Sequence, residues 1–375
     1  MRRTVLICVL LGLVAALAVS CSACSPAYVL HAGYQEAKIL SARQPIETAV
    51  EDPDVPPELR AKLELVRQVR VFAERRLGLN SGDSFRSYAQ LDRDTLVMVV
   101  SAAPELELRW KTWWWPIVGS LPYKGYFDFE AAYAEAAELE KQGYDTYVRP
   151  SAAFSTLGWF PDPILSPALR GDSVSIAETV IHEITHTTFF PKGHAQFNES
   201  FANFVGHVGA IEYFCNATAD PGPCETARER WHDTRVFGRF FHTLYEPLAA
   251  LYASDAPDDS KRRRKREIIE AAADRFRTEI VPQLRGGRYG EIDPDRVDNA
   301  WLLSRLLYYT RLDDFQLLCE REGGVGSAVD ALIAATERTG DPWSALDELT
   351  AHLTESAARQ RPDAPGEDAP AASGA

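Results

Sequence analysis

The chain has 375 residues, 46 % of them apolar, and a formal net charge of -14. That length suits one large or two closely packed domains, and the apolar share supports a real core. The acidic balance excludes a nucleic-acid binder, which needs a basic face for the phosphates.

Met1-Arg2-Arg3 is a basic leader, and Val5 to Val19 is an apolar run too short for a transmembrane helix. Ala18-Val19-Ser20-Cys21 fits the box at which a lipoprotein is cut and its cysteine lipidated. Cys24 is the alternative anchor, and an ordinary secretory signal is the plainer reading. Each of these exports the protein. Lipidation at Cys21 predicts a chain anchored to a membrane and facing the periplasm.

Two helical stretches are expected over residues 43–77, the second running from Pro56 to Leu77. Leu96-Val97-Met98-Val99-Val100 reads as a strand, and alternation from Leu106 to Trp115 suggests its partner. Phe129 to Gln142 reads as a helix ending at Gly143, and Thr146 to Pro150 as a short strand. Ala152 to Thr156 extends that strand or forms another. Helices are expected from Ser175 to Thr188 and from Asn198 as N-cap. Further ones run from Glu225 to Ala253, Arg266 to Leu284, Val297 to Glu320 and Ala328 to Thr339. Lys261 to Arg266 is a basic run, read as a solvated helix face before a lipid contact. The fold class is α+β, mostly helical. The expected divisions are a signal over 1–20, an α+β region over 21–165, metal-binding and C-terminal helices over 166–355, and a disordered Ala/Pro/Gly-rich tail over 356–375.

Cys215 and Cys224 flank a turn-forming segment, and an oxidising compartment permits a disulfide between them. Three mature cysteines leave one over, Cys319, expected in the core.

His182-Glu183-Ile184-Thr185-His186 carries the chemistry. Residues four apart on a helix share a face, so both imidazoles can grip one metal ion while Glu183 stays near without occupying a coordination position. Such a centre usually takes a third protein ligand. The pattern with a glycine and a third histidine downstream fails, because Phe189 and Lys192 stand there. A glutamate from a following helix is the other solution, and Asn198-Glu199-Ser200-Phe201-Ala202 supplies Glu199. Pro191 and Gly193 break the intervening segment, so a helical hairpin would bring Glu199 beside His186. His194 is the rival ligand.

Beyond this motif, the chain resembles a family of predicted bacterial aminopeptidases, metallopeptidases of the gluzincin type. The likeness runs through Tyr28-Val29-Leu30, Arg43-Gln44-Pro45-Ile46, Pro116-Ile117-Val118-Gly119 and Tyr123-Lys124-Gly125-Tyr126-Phe127. It continues through Ser155-Thr156-Leu157-Gly158-Trp159-Phe160, Asp298-Asn299-Ala300 and Tyr308-Tyr309. The resemblance implies a zincin-like fold with a small sheet packed on the metal helix. It implies zinc as cofactor, held by His182, His186 and Glu199, a peptide substrate, and Glu183 as general base toward a zinc-activated water. Tyr308 enters as the oxyanion donor, with Tyr309, His207 and Tyr213 as alternatives. Ala153, Phe154 and Ser155 enter as the edge that binds the substrate backbone. Asn203 is expected behind a ligand histidine, Glu178 on the helix surface, and Trp113-Trp114-Trp115 in packing or a specificity pocket. A non-catalytic zinc-binding lipoprotein that holds a partner, and a zinc hydrolase of cell-wall peptides, remain open.

Overall fold

The computed structural model describes residues 26–115, 119–151, 161–217, 220–287 and 290–359. It divides into one unit over Met1–Asp313 and another over Asp314–Ala375. The first unit opens with helix α1 (Pro26–Ala42), strand β1 (Gln44–Pro45), helix α2 (Ile46–Glu51) and helix α3 (Pro57–Arg76). Proline at the first turn of α3 costs no hydrogen bond, and Leu63, Val66, Val69 and Ala73 give that helix one buried stripe. Helix α1 was not anticipated from the sequence. Strand β2 (Ser87–Ala89) pairs antiparallel with β1 and parallel with β8 (Ile164–Leu165).

Strand β3 (Val97–Pro104) is buried from Val97 to Ala103, as a central strand covered on both faces must be. Its partners are β6 (Lys124–Tyr126) and β7 (Tyr144–Ser151), both antiparallel. The expected partner, Leu106 to Trp115, is corrected. Only Trp113–Trp115 is a strand, β4, and it pairs with β5 (Gly119–Leu121). Met98, Val100 and Ala102 pack on helix α4 (Phe129–Lys141) through Ala132, Ala136 and Leu139. Ala103 packs among Phe241, Leu302 and Leu306 on the other side. The sheet therefore lies between α4 and the later helices, rather than on the helix that carries the H-E-x-x-H motif.

Next come α5 (Ser173–Thr188), which carries the H-E-x-x-H motif, α6 (Ala195–Ala217), α7 (Pro221–Ala253), α8 (Asp258–Arg275) with a π turn over Phe276–Ile280, and α9 (Asn299–Tyr309). The expected single helix from Val297 to Glu320 breaks after α9, where Arg311 takes φ 56°, and α10 (Leu312–Glu322) follows. The basic run lies inside α8, where Arg262, Arg263, Arg264 and Arg266 are exposed as the solvated face expected and only Lys265 is buried. Arg262 meets Glu105 at 2.9 Å, Arg264 meets Glu267 at 2.6 Å, and the buried Lys265 meets Asp145 at 2.6 Å. The second unit holds α11 (Val325–Thr339), ended by left-handed Gly340, and α12 (Pro342–Arg359). Leu332, Ala335, Ala345 and Leu346 are buried there. Among the described residues no helix is long and apolar enough to cross a membrane.

Asp298 caps α9 by accepting from the Trp301 amide at 2.7 Å. Burial pushes its carboxyl up to about 7; the Trp301 amide opposes this and Asp145 adds to it. A carboxyl raised in the folded state binds its proton more tightly there than in the unfolded chain. Its ionisation is therefore neutral to stability near pH 4 and destabilising by pH 8. Asn caps as well as Asp. Asp298→Asn is expected to match the wild type in urea unfolding at pH 4 and to gain about 2–4 kcal/mol at pH 8. An equal difference at both pH values would refute this.

Candidate metal centre

Helix α5 starts where Asp172 accepts from the Ser175 amide at 2.9 Å. That carboxylate is also clasped by Arg230, which holds it well below the usual range. The threonines in α5 are weak helix formers, but Thr185 and Thr188 donate back to Ile181 and Ile184 at 2.8 and 2.9 Å. The helix ends at extended Phe189, and the chain turns through Gly193 at φ 84°. Asn198 is not the N-cap of the next helix. Helix α6 begins at Ala195, the Asn198 amide donates to His194 oxygen at 2.9 Å, and its side chain donates to Pro191 oxygen at 2.9 Å. Asn198 thus closes the loop from inside the first turn, and Glu199 on that turn faces back toward α5.

The result is a convergence of three ligand atoms. His182 Nε2 and His186 Nε2 are 3.2 Å apart, and Glu199 Oε2 lies 3.6 and 3.7 Å from them. These are close to the edges of a tetrahedron with bonds of about 2.0–2.2 Å, for which donor atoms sit about 3.3–3.6 Å apart. Two imidazole lone pairs and a carboxylate in such proximity repel unless a cation or proton lies between them. The group fits a metal ion. His194 lies outside it.

Glycine makes the approach of the two helices possible. A Cβ on Gly206 would sit 2.8 Å from Glu178 oxygen and 3.3 Å from His182 Cβ. One turn on, a Cβ on Gly209 would meet Leu77 and Ile181 at 2.9 and 3.1 Å. Gly206→Ala should push α6 off α5 at the level of the ligands, with a loss of about 1–3 kcal/mol. Metal affinity should fall about tenfold or more, since Glu199 rides on α6. Thermal melts and metal titration read both effects, and unchanged affinity would show that the ligand spacing does not depend on this contact.

Around the ligands the electrostatics are sharply divided. Burial opposes ionisation of Glu199, yet hydrogen bonds and charge from His182 and His186 outweigh it and hold its carboxyl well below the usual range. Burial pushes Glu183 up to about 7; His182 opposes the rise, while Glu199 and Asp162 add to it. Tyr123 donates to Glu199 Oε1 at 3.2 Å, occupying the oxygen turned from the histidines. Tyr308 stacks on His182 with centroids 6.4 Å apart, and its oxygen accepts from Arg149 at 2.9 Å. Helix α6 also seizes the end of α9. Gln196 donates to Leu306 oxygen at 3.3 Å, Ser200 to Leu307 oxygen at 3.0 Å and Asn203 to Tyr308 oxygen at 2.9 Å. Those carbonyls lie in the last turn of α9, where helix oxygens lack partners.

The family described as "Putative aminopeptidase" matches residues 27–342. The chain belongs to that family. No curated protein and no solved structure matches it. Aminopeptidase membership supports peptidase function, and the convergent His182, His186 and Glu199 lie within the matched span.

Other residues take places that the sequence reading did not foresee. Asn203 holds the Tyr308 backbone, not a ligand histidine. Glu178 is no surface residue: its side chain is 14 % exposed, 2.9 Å from His207 Nδ1 and 3.7 Å from Arg230. His207 also meets Thr234 at 3.3 Å, and Tyr213 donates to Gln68 at 3.1 Å, so both lie in structural networks. Tyr309 packs on Phe237 and Phe241. Trp113 is buried in the core, Trp115 packs on Tyr28 and Trp114 is 51 % exposed. A disulfide joins Cys215 and Cys224, and Cys319 is buried. Ala153, Phe154, Ser155 and Cys21 lie outside the described residues. A cavity of about 930 Å³ opens beside β7, lined by Tyr147, Val148, Asp298, Trp301 and Arg305, and not over the metal group. Tyr123 and Arg149 were missed as site residues. Tyr123 stood only in a family block, and Arg149 carried no signal at all.

Proposed function

We propose that the protein is a zinc-dependent aminopeptidase of the gluzincin type. The observation that supports this most is the meeting of His182 Nε2, His186 Nε2 and Glu199 Oε2 at tetrahedral spacing inside a family of aminopeptidases. When bound, zinc there lowers the pKa of water and polarises a carbonyl. Glu183 takes the proton of the attacking water and returns it to the leaving amine. Its burial suits that work, because a carboxyl with a pKa near neutrality both accepts and releases a proton readily. Tyr123 holds the distal oxygen of Glu199 and so fixes the direction of that ligand. Tyr308, beside His182, donates to the oxygen that becomes negative as the carbonyl is attacked.

The same reading places the mature protein on a membrane surface facing the periplasm, through a lipid on Cys21. Intact mass of membrane-extracted protein tests this, and an unmodified N-terminus would reject it. For the activity, the deciding experiment is elemental analysis of purified protein together with cleavage-site mapping on unlabelled peptides. One zinc per chain and stepwise loss of N-terminal residues are expected. Internal cuts would make it an endopeptidase. Zinc without any cleavage would favour a binding protein, and cleavage of wall fragments alone would favour a wall hydrolase.

A further inference from the structure

Two arginine–tyrosine rungs join strand β7 to helix α9. In the inner rung Arg149 of β7 donates to the Tyr308 phenol at 2.9 Å, its guanidinium also lying 5.4 Å from that ring's centre. In the outer rung the direction is reversed. Arg305 of α9 donates to the Tyr147 phenol at 2.9 Å and lies between the Tyr147 and Trp301 rings at 5.5 and 5.2 Å. Tyr147 and Arg149 are two apart on β7 and so point to the same face, while Arg305 and Tyr308 are three apart on α9 and share a side.

The rungs have the same construction but different neighbours. Tyr308 stacks on the ligand His182, whereas Tyr147 and Arg305 line the cavity beside β7. Chemistry distinguishes them further. A guanidinium has five donors and no acceptor. The Tyr308 oxygen must therefore accept from Arg149, and its own proton cannot lie along that line. The backbone below the ring is already tied to α6 through Asn203. With the oxygen already accepting from Arg149, the hydroxyl proton is left for a second acceptor, and Tyr308 stands beside the ligand His182. Accepting a bond from a cation also makes a phenol a stronger donor.

We propose that Arg149 is the positioning residue for Tyr308: it fixes the phenol oxygen and directs the hydroxyl proton toward the oxyanion formed on the substrate carbonyl. This rests on the peptidase reading, which supplies the oxyanion. Arg149 acts through Tyr308 and need not touch the substrate, and the outer rung ties strand to helix without taking part.

The test uses zinc-loaded full-length protein with leucine 4-nitroanilide for turnover and leucine phosphonate, a tetrahedral anion, for binding by calorimetry. Zinc content and melting temperature show that each variant is folded. Arg149→Met should lower kcat about 10²-fold with KM within about twofold. Tyr308→Phe should cost about the same, and the double variant no more than Tyr308→Phe alone, because the pair acts as one unit. Arg149→Lys, which keeps charge and a donor, should recover about tenfold over Arg149→Met. Arg305→Met should stay within about threefold of wild type while breaking an equivalent tie. Losses that multiply in the double variant, a raised KM at constant kcat, or equal losses in Arg305→Met and Arg149→Met would each overturn the assignment. A wild type that cleaves nothing would remove the peptidase reading alone. The phosphonate would then decide: equal weakening in both single variants and the double upholds the positioning role, and unchanged affinity in Arg149→Met ends it.

Discussion

Glu183→Gln is expected to bind zinc at the wild-type ratio and to lose about 10³-fold or more in kcat, within the range seen when a general base is removed. The amide keeps the size and most of the hydrogen-bonding capacity of the carboxyl but cannot take up a proton. The metal-free variant should melt at or above the wild type near pH 8, because burial makes ionisation of Glu183 costly there. This combination of unchanged metal, unchanged or better stability and lost turnover identifies a base. A fall in metal content would make Glu183 a ligand instead, and activity within tenfold of wild type would remove it from the chemistry.

His182→Ala should lose the metal itself. It removes one of three converging donors and leaves His186 and Glu199. Loss of a supporting group behind a ligand weakens metal binding by about 10–100-fold, so loss of a ligand should exceed that. Dialysed protein is expected to hold far less than one zinc per chain and to show no turnover above background. Near-stoichiometric zinc in this variant, read by elemental analysis, would mean that the metal sits elsewhere. The two variants together separate holding the ion from using it.

The metal-group residues that could be read in the sequence lie close together in the chain. His182 and His186 are four apart, and Glu199 follows a short broken segment, so local rules brought all three together. Residues delivered by strands had no such signature. Tyr123 and Arg149 lie 76 and 159 positions from the partners they touch, Glu199 and Tyr308, and no pattern of neighbours announces a contact of that span. The same limit explains the wrong partner for β3. Alternation marked residues near Trp113, yet β3 pairs with strands after intervening hairpin and helix. Glu178 was misread because a position one turn before His182 says nothing about what packs beside it, and α6 and α7 bring His207 and Arg230 there. Asn198 was misread by four residues, a distance that decides between capping a helix and sealing its loop.

Helix α6 carries Glu199 and, on a neighbouring stripe, the three side chains that grip successive oxygens at the end of α9. One rigid rod is therefore the common ruler for the third ligand and for the phenol of Tyr308. A slip of that rod by one residue, about 1.5 Å along its axis, would spoil both placements at once. Under the proposed mechanism, ion capture and charge neutralisation at the substrate cannot drift apart gradually; they are kept or forfeited together.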